Sequence, residues 1–412
     1  MFTLLASPGR LWIPFVAFGF CMFTAYSETV ANNSGPPTDP PITGPPDEGE
    51  DDPPDPPDHT PPIGEEPTAP QTLRDFNIPG SAAFSSTLNQ HTALNDYLRR
   101  LPRDDHRDNR NVGTGTGTRK YLASTEPVPG TSSASQGMGL VRSGDTAFGM
   151  MQYSRGGRDT RGEQTGYRYN APGLLFGMVA PVEEVEGLRV GGVAGLQRTN
   201  AKFRGNRGQT EIDSFRLGTY AGWRFHDGGY VHGGVIGSAH RFRTDRGDDP
   251  VKNRHRGHDI SGFVASGYDF PLTESWTLTP EASIQYVYLR ERAYRDADDT
   301  SVRRRTEDIL RAGSDLRLSY RRPAVAVLAY TGELLGGVAY DVSADRGEIR
   351  GHTANGDPFR VRGPSPRRVS GVFGGSLGIA FDEEWRVITS YRGLISSDAY
   401  DHMVAVELSR RF

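Results

Sequence analysis

Four histidines are the residues best suited to chemistry in this chain: His232, His240, His255 and His258. An imidazole beside a serine or a carboxylate can take and return a proton near neutral pH, the working step of a hydrolytic site. Their spacing argues against that role. His232 and His240 lie eight apart on one expected strand, on the same face but well separated along it, and His255 and His258 fall in a long expected loop among Arg and Asp. Solvated or interfacial imidazoles are the expectation. His91 has no His, Cys or carboxylate at metal-ligand spacing and is expected to be packed or solvated. Arg246-Gly247-Asp248 spells an adhesive tripeptide, in a loop so rich in those residues that composition accounts for it. No nucleophile elbow or phosphate loop is expected. These readings predict no catalytic residue, no cofactor or metal site, no enzyme activity and no nucleic-acid partner.

The charges at Arg216, Arg224, Glu281, Arg386 and Arg392 are better placed for structure, and their placement depends on strands. Side chains on a strand alternate between two faces. In 215–225, Phe215, Leu217, Ala221, Trp223 and Phe225 share one parity, while Arg216, Gly218, Tyr220, Gly222 and Arg224 share the other. In 276–288, Trp276, Leu278, Ala282, Ile284, Tyr286 and Tyr288 oppose Thr277, Thr279, Glu281, Ser283 and Gln285, and in 385–392 Trp385, Val387 and Tyr391 oppose Arg386, Ser390 and Arg392. Similar segments recur from residue 146 onward. Twelve strands are expected, at about 146–155, 170–182, 187–199, 211–225, 229–243, 258–270, 275–290, 302–320, 323–342, 360–381, 385–396 and 400–412. The last carries Val404, Val406, Leu408 and Phe412 on one parity and Glu407, Ser409 and Arg411 on the other, with Arg410 on the oily side.

One oily and one wet face, with Trp223, Trp276 and Trp385 near strand ends, predicts an all-β fold. It is a twelve-stranded antiparallel transmembrane β-barrel with a lipid-facing band, interfacial aromatics and a polar lumen lined by those five charges. The glycines on the wet parity relieve crowding. The connectors split into tight turns (HDGG, PLTES, DEE) and long charged ones (GGRDTRGEQTG, RTDRGDDPVKNRHRGH, AYRDADDT), as an outer-membrane barrel requires of its two rims. A mean hydropathy of −0.56 argues against a helical membrane protein but not against a barrel.

Upstream, residues 1–27 read as a signal peptide: Arg10, an apolar run from Leu11 to Ala25 too short for a comfortable transmembrane helix, then Ala25-Tyr26-Ser27. The single cysteine, Cys21, lies within it. Residues 28–80 read as an acidic, Pro-rich disordered stalk. Within 28–70 there are 11 Asp or Glu, no Lys or Arg, and 14 of the 29 prolines, so a chain of net charge −4 divides into a tail of −11 and a remainder near +7. Residues 81–145 read as a short helix and linker, a candidate for filling the pore. Ser81 is the expected N-cap and Pro102 the stop of a helix over 81–101, whose stripe is Phe84, Leu88, His91, Leu94, Leu98 and Leu101, with Asn89, Gln90, Asn95 and Arg99 off it.

With these segments in place, residues 146–412 resemble the C-terminal translocator barrel of autotransporters. RLGTYAGWRFHDGGYVHGGV at 216–235 resembles the family's fourth and fifth strands, LTPEASIQYVY at 278–288 its seventh, and PFRVRGPSPRRVSGVFGGSLGIAF through SRRF its last three. The resemblance implies type V secretion, a helix or extended segment in the pore, and display of the upstream segment at the cell surface. It also implies a Gram-negative outer-membrane location and, as partners, outer-membrane lipid, periplasmic chaperones and the barrel-assembly machinery that recognises the terminal strand. The partner of the stalk is unknown. No repetitive passenger precedes the barrel, so the expected function is anchoring and display of a short Pro-rich segment. The alternative is a stand-alone barrel acting as a pore or adhesin, with a barrel hydrolase ranked last.

Overall fold

The computed structural model describes residues 78–110, 145–160, 165–205, 208–225, 228–245, 253–296, 299–325, 328–345, 348–362, 369–381 and 384–412. The expected signal peptide, nearly all of the stalk, the linker after residue 110 and Arg246-Gly247-Asp248 lie outside them.

Among these residues, twelve long strands follow one another: β1 (Thr146–Arg158), β2 (Tyr167–Pro181), β3 (Leu188–Phe203), β4 (Gln209–Arg224), β5 (Gly229–Asp245), β6 (Asn253–Tyr268), β7 (Trp276–Glu291), β8 (Arg305–Val325), β9 (Leu328–Asp345), β10 (Val369–Phe381), β11 (Trp385–Ser396) and β12 (Ala399–Arg411). Each pairs antiparallel with its sequence neighbour, and β12 returns to pair with β1 from Thr146↔Arg411 to Arg158↔Ala399. The sheet is therefore a closed cylinder with no free edge, and every strand finds partners on both sides.

Closure fixes what each parity faces. On β12, Val404, Val406 and Leu408 are exposed on the outside, while Met403, Ala405, Glu407 and Ser409 are buried inside. Trp223, Trp276 and Trp385 are outward and partly exposed. Glycine on the inner face makes room for aromatic rings: the Tyr220 ring lies over Gly191, its register partner, where an added Cβ would meet the ring at 2.5 Å.

The two rims differ. The terminal rim holds Asp145 and Phe412, joined by a backbone hydrogen bond of 2.9 Å. Its connectors are short, and Gly187 and Gly228 turn there with φ of 77° and 102°, a conformation that favours glycine. The opposite, loop rim carries the three long charged connectors, although its last one, between β11 and β12, is a two-residue turn.

Several expected boundaries move. Asn253–His258 is the start of β6 rather than loop, so the loop-rim connector before it is shorter than expected. The expected strand 360–381 divides: Pro358–Arg362 belongs to a separate four-stranded sheet with Tyr294–Arg295, Ser301–Val302 and Glu348–His352, and β10 begins at Val369. That small sheet packs its own core of Val302, Ile349, Phe359 and Val361 with Tyr294. Local alternation alone does not say which of two sheets a strand joins.

One helix, α1, spans Ile78–Arg110. It starts before Ser81, because Pro79 in the first turn lacks an N–H that would be unpaired there anyway. It also continues through Pro102, where a proline removes one backbone bond without necessarily ending a helix. Residues 78–100 run about 34 Å at 1.5 Å each, and they are buried except at Arg100 and along one stripe, Ser85, Asn89 and Thr92, which is half-buried. Gln90, Asn95 and Arg99, off the expected apolar stripe, are buried as well, because the wall of the cylinder surrounds the helix.

Candidate functional site

The filled lumen is where α1 and the wall meet, and it is organised in layers. At the loop rim Gly80 sits against Arg305, Glu291 and Glu307; an added Cβ would come within 2.1 Å of the Arg305 guanidinium. Arg305 pairs with Glu291 at 2.5 Å and Glu307 at 2.7 Å. His255 reaches Glu291 at 3.1 Å and is sandwiched between the rings of Phe242, at 4.5 Å, and Tyr294, at 4.2 Å. This stack ties the small sheet to the barrel wall.

Below it, Ile78, Ala82, Ala83, Phe84 and Leu88 pack against inward residues including Tyr167, Phe203, Ile212 and Leu289. Small side chains at 82 and 83 let the helix approach the wall closely. A polar layer follows. Arg216 donates to Gln197 at 2.6 Å, Thr87 at 3.0 Å and Ser238 at 3.3 Å, Ser86 is hydrogen-bonded to Gln197, and His91 shares a 2.7 Å hydrogen bond with Ser261. Next, Leu94, Tyr97 and Leu98 meet Phe148, Met150, Tyr220 and Phe263, with the Tyr97 and Phe148 rings 3.9 Å apart.

The layer facing the other side of this same stretch of α1 is charged. Arg317 lies within 2.9 Å of Asp96, 3.3 Å of Glu281, 3.3 Å of Asp315 and 3.2 Å of Glu333. Arg99 pairs with Glu333 at 2.5 Å, Arg392 with Asp315 at 3.0 Å, and Arg100 and Arg386 with Glu407 at 3.6 and 3.4 Å. Asn95 donates to Glu281 at 3.2 Å and accepts from His232 at 2.7 Å. Buried charges persist only when paired, and each of these has a partner of opposite sign.

The five charges picked out by parity all point into the lumen, but they do not form one group. Arg216 stands in the polar layer, Glu281, Arg386 and Arg392 stand in the charged layer, and Arg224 pairs with Asp269 at 2.9 Å near the terminal rim. The hub of the charged layer, Arg317, was not singled out, nor were Asp96, Asp315 and Glu333. Arg317 does occupy the wet parity of its strand, opposite Leu316, and that is the signal that could have found it.

The outward residues lie elsewhere. Trp223 donates to the Glu186 carbonyl at 3.2 Å, Trp276 packs on Tyr320 at 5.0 Å, and Trp385 stands beside Arg410, all at the terminal rim. Arg410 spreads over the rings of Trp385 and Phe412 at 5.2 and 4.9 Å and pairs with Glu384 at 3.2 Å.

The histidines depart from expectation. His232, His240 and His255 are buried in the lumen rather than solvated or interfacial, and only His258 is exposed. His240 stands between Ser214 at 2.8 Å and Asp259 at 2.7 Å, a serine–histidine–carboxylate line. Asp259 also accepts from Ser238 at 2.8 Å and from Thr87 of α1 at 3.0 Å, so the helix covers the group. A Gly-x-Ser-x-Gly spacing does occur, at Gly374–Gly378, against the expectation of none. It runs straight through β10, with Ser376 paired in register to Glu333 and Ser390, and lacks the strand-to-helix turn that exposes a nucleophile.

The model of the autotransporter beta-domain family matches residues 147–392. No curated protein sequence matches the chain. Among solved structures, the beta domain of the Bordetella autotransporter Brka is 14% identical with a TM-score of 0.53, over 65% of this chain and 100% of that one. The translocator domain of the autotransporter NalP from Neisseria meningitidis is 19% identical with a TM-score of 0.50, over 67% and 91%. The transport unit of the autotransporter AIDA-I from Escherichia coli is 10% identical with a TM-score of 0.52, over 67% and 92%. At such identities the likeness is one of fold, while the family match covers more than half of the chain. This chain belongs to the autotransporter family, and its twelve-stranded cylinder is the outer-membrane translocator β-domain of type V secretion in Gram-negative bacteria.

Proposed function

We propose that the barrel anchors the acidic, Pro-rich N-terminal segment in the outer membrane and holds it out at the cell surface, with α1 as the tether locked in the pore. The direction of α1 carries this reading. Its N-terminus lies at the loop rim, among Arg305, Glu291 and Glu307, and Tyr97 and Arg100 lie toward the rim that holds both barrel termini. Outer-membrane barrels keep short turns in the periplasm and long loops outside, so the chain preceding Ile78 leaves on the outer side. A net charge of −11 with no apolar run suits such a segment to water rather than to a packed core.

The anchor is structural rather than catalytic in this reading. Ser214, His240 and Asp259 are buried beneath Thr87, and their bonds knit the wall to the helix. Trp223, Trp276 and Trp385 then mark the periplasmic face of the outer membrane. An epitope placed within residues 28–70 tests display. Antibody or protease added to intact cells is expected to reach it as readily as a tag in the β5–β6 loop. A protected epitope beside an accessible loop tag would put the segment in the periplasm and overturn the reading.

A further inference from the structure

The outer wall of the barrel is apolar only up to a certain height. On β5, β6 and β7 the exposed Val235, Ile260, Val264 and Ile284 form part of the lipid-facing band. Following the same outward parity toward the loop rim, β6 continues with His258, Arg256 and Arg254, β5 with Arg241 and Arg243, and β7 with Arg290 and, just past its end, Arg292. The change from apolar to basic takes place within one or two outward positions, where the hydrocarbon of a bilayer gives way to headgroups.

These cations are badly arranged for a bare protein surface. Arg241 is the register partner of Arg256, and Arg243 of Arg254. Like charges directly opposite one another on neighbouring strands destabilise a sheet. The nearby carboxylates are already engaged: Asp213 with Arg198 at 2.7 Å and with Arg243 at 3.2 Å, and Glu211 with Arg243 at 3.6 Å. Among the described residues, Arg241, Arg254, Arg256, Arg290 and Arg292 have no ion-pair partner.

We propose that this patch on β5–β7 binds the phosphate groups of a phosphorylated glycolipid of the outer leaflet, the lipid A part of lipopolysaccharide. Three properties match. The guanidinium fork pairs with phosphate in two-bond geometry. The patch adjoins the apolar band, so the acyl chains can lie on Val235, Ile260 and Ile284 while the phosphates sit at Arg241, Arg254 and Arg256. A dianionic phosphate between two strands removes the Arg–Arg repulsion that the register imposes.

The test uses the full chain folded in detergent micelles, with binding of bisphosphorylated lipid A followed by native mass spectrometry at increasing salt. Wild type is expected to retain the lipid, and the triple variant R241S/R254S/R256S to bind about a hundredfold more weakly, at the usual contribution of an arginine near an anionic lipid surface. The triple lysine variant keeps the charge without the fork and is expected to bind more tightly than the serine variant but less tightly than wild type, which separates charge from a folding defect; unchanged migration of unboiled protein on gels reports the fold. Dephosphorylated lipid A is expected to bind wild type only as well as the serine variant binds the intact lipid. Equal retention by wild type and the serine variant, or equal binding of dephosphorylated lipid A, would overturn the proposal. So would displacement by inorganic phosphate at concentrations matching the lipid. A large gain in lipid binding on deleting residues 28–70 would show that the acidic segment, not lipid, is the resident partner of the arginines.

Discussion

Two stretches of α1 are held by different balances of force. At the loop-rim end Ala82, Ala83, Phe84 and Leu88 are seated by apolar packing, beneath one ion cluster around Gly80. Farther along, beside the apolar contacts of Leu94, Tyr97 and Leu98, Asp96, Arg99 and Arg100 are fastened to Arg317, Glu333, Arg392 and Glu407. The difference matters for a segment that occupies a pore. Apolar packing tolerates small sliding and rotation, because it has no direction. A buried charge network does not, since moving the helix by one turn would leave several carboxylates and guanidinium groups without partners inside the wall. The apolar stretch fills the pore, and the charged stretch sets the register in which it is filled.

The largest test of that contrast is Arg317→Met. Four carboxylates lie within 3.3 Å of this guanidinium, and removing it leaves them buried and repelling one another. A loss of about 4 kcal/mol is expected, the scale for removing one member of a buried pair. It would be read as a fall in the temperature at which the folded form disappears from gels. A smaller effect follows from Leu88→Ala at the apolar end, about 3 kcal/mol for a fully buried leucine. The helix should stay in place, so a cysteine pair bridging α1 and β12 near Arg100 is expected to form as readily as in wild type. A shifted cross-link for Leu88→Ala, or an unshifted one for Arg317→Met, would break the contrast. The smallest effect belongs to Arg100→Gln. Its partner Glu407 keeps Arg386 at 3.4 Å, so a loss of about 1 kcal/mol is expected, near that of a partly exposed pair. A loss as large as that of Arg317→Met would make Glu407, not Arg317, the hub.

Much of the fold was legible because a membrane barrel writes its two solvents into alternate residues. Trp223, Val404 and Leu408 had to face out, and Arg216 and Glu281 in, once the strand was recognised. The same rule misplaced the start of β6, because Arg254, Arg256 and His258 on its outward face look like loop residues. It missed the break before Val369, because Pro358–Arg362 alternates as well as a stave does. It also mistook the environment of three histidines. Parity told which face His232, His240 and His255 occupy but not that a helix would seal that face.

By itself, the sequence determined the number of staves, the wall's two faces, the short and long rims and the presence of one helix, since each rests on local period and turn composition. Only the tertiary structure decided that α1 lies inside with its N-terminus at the loop rim, and that Arg317 joins Asp96 across 221 residues. Ring closure brings such pairs together, and a period of two carries no information about which distant residue stands opposite. In the pore, pairing is chosen by which carboxylates would otherwise be buried uncompensated, a cost that exists only after the cylinder has closed.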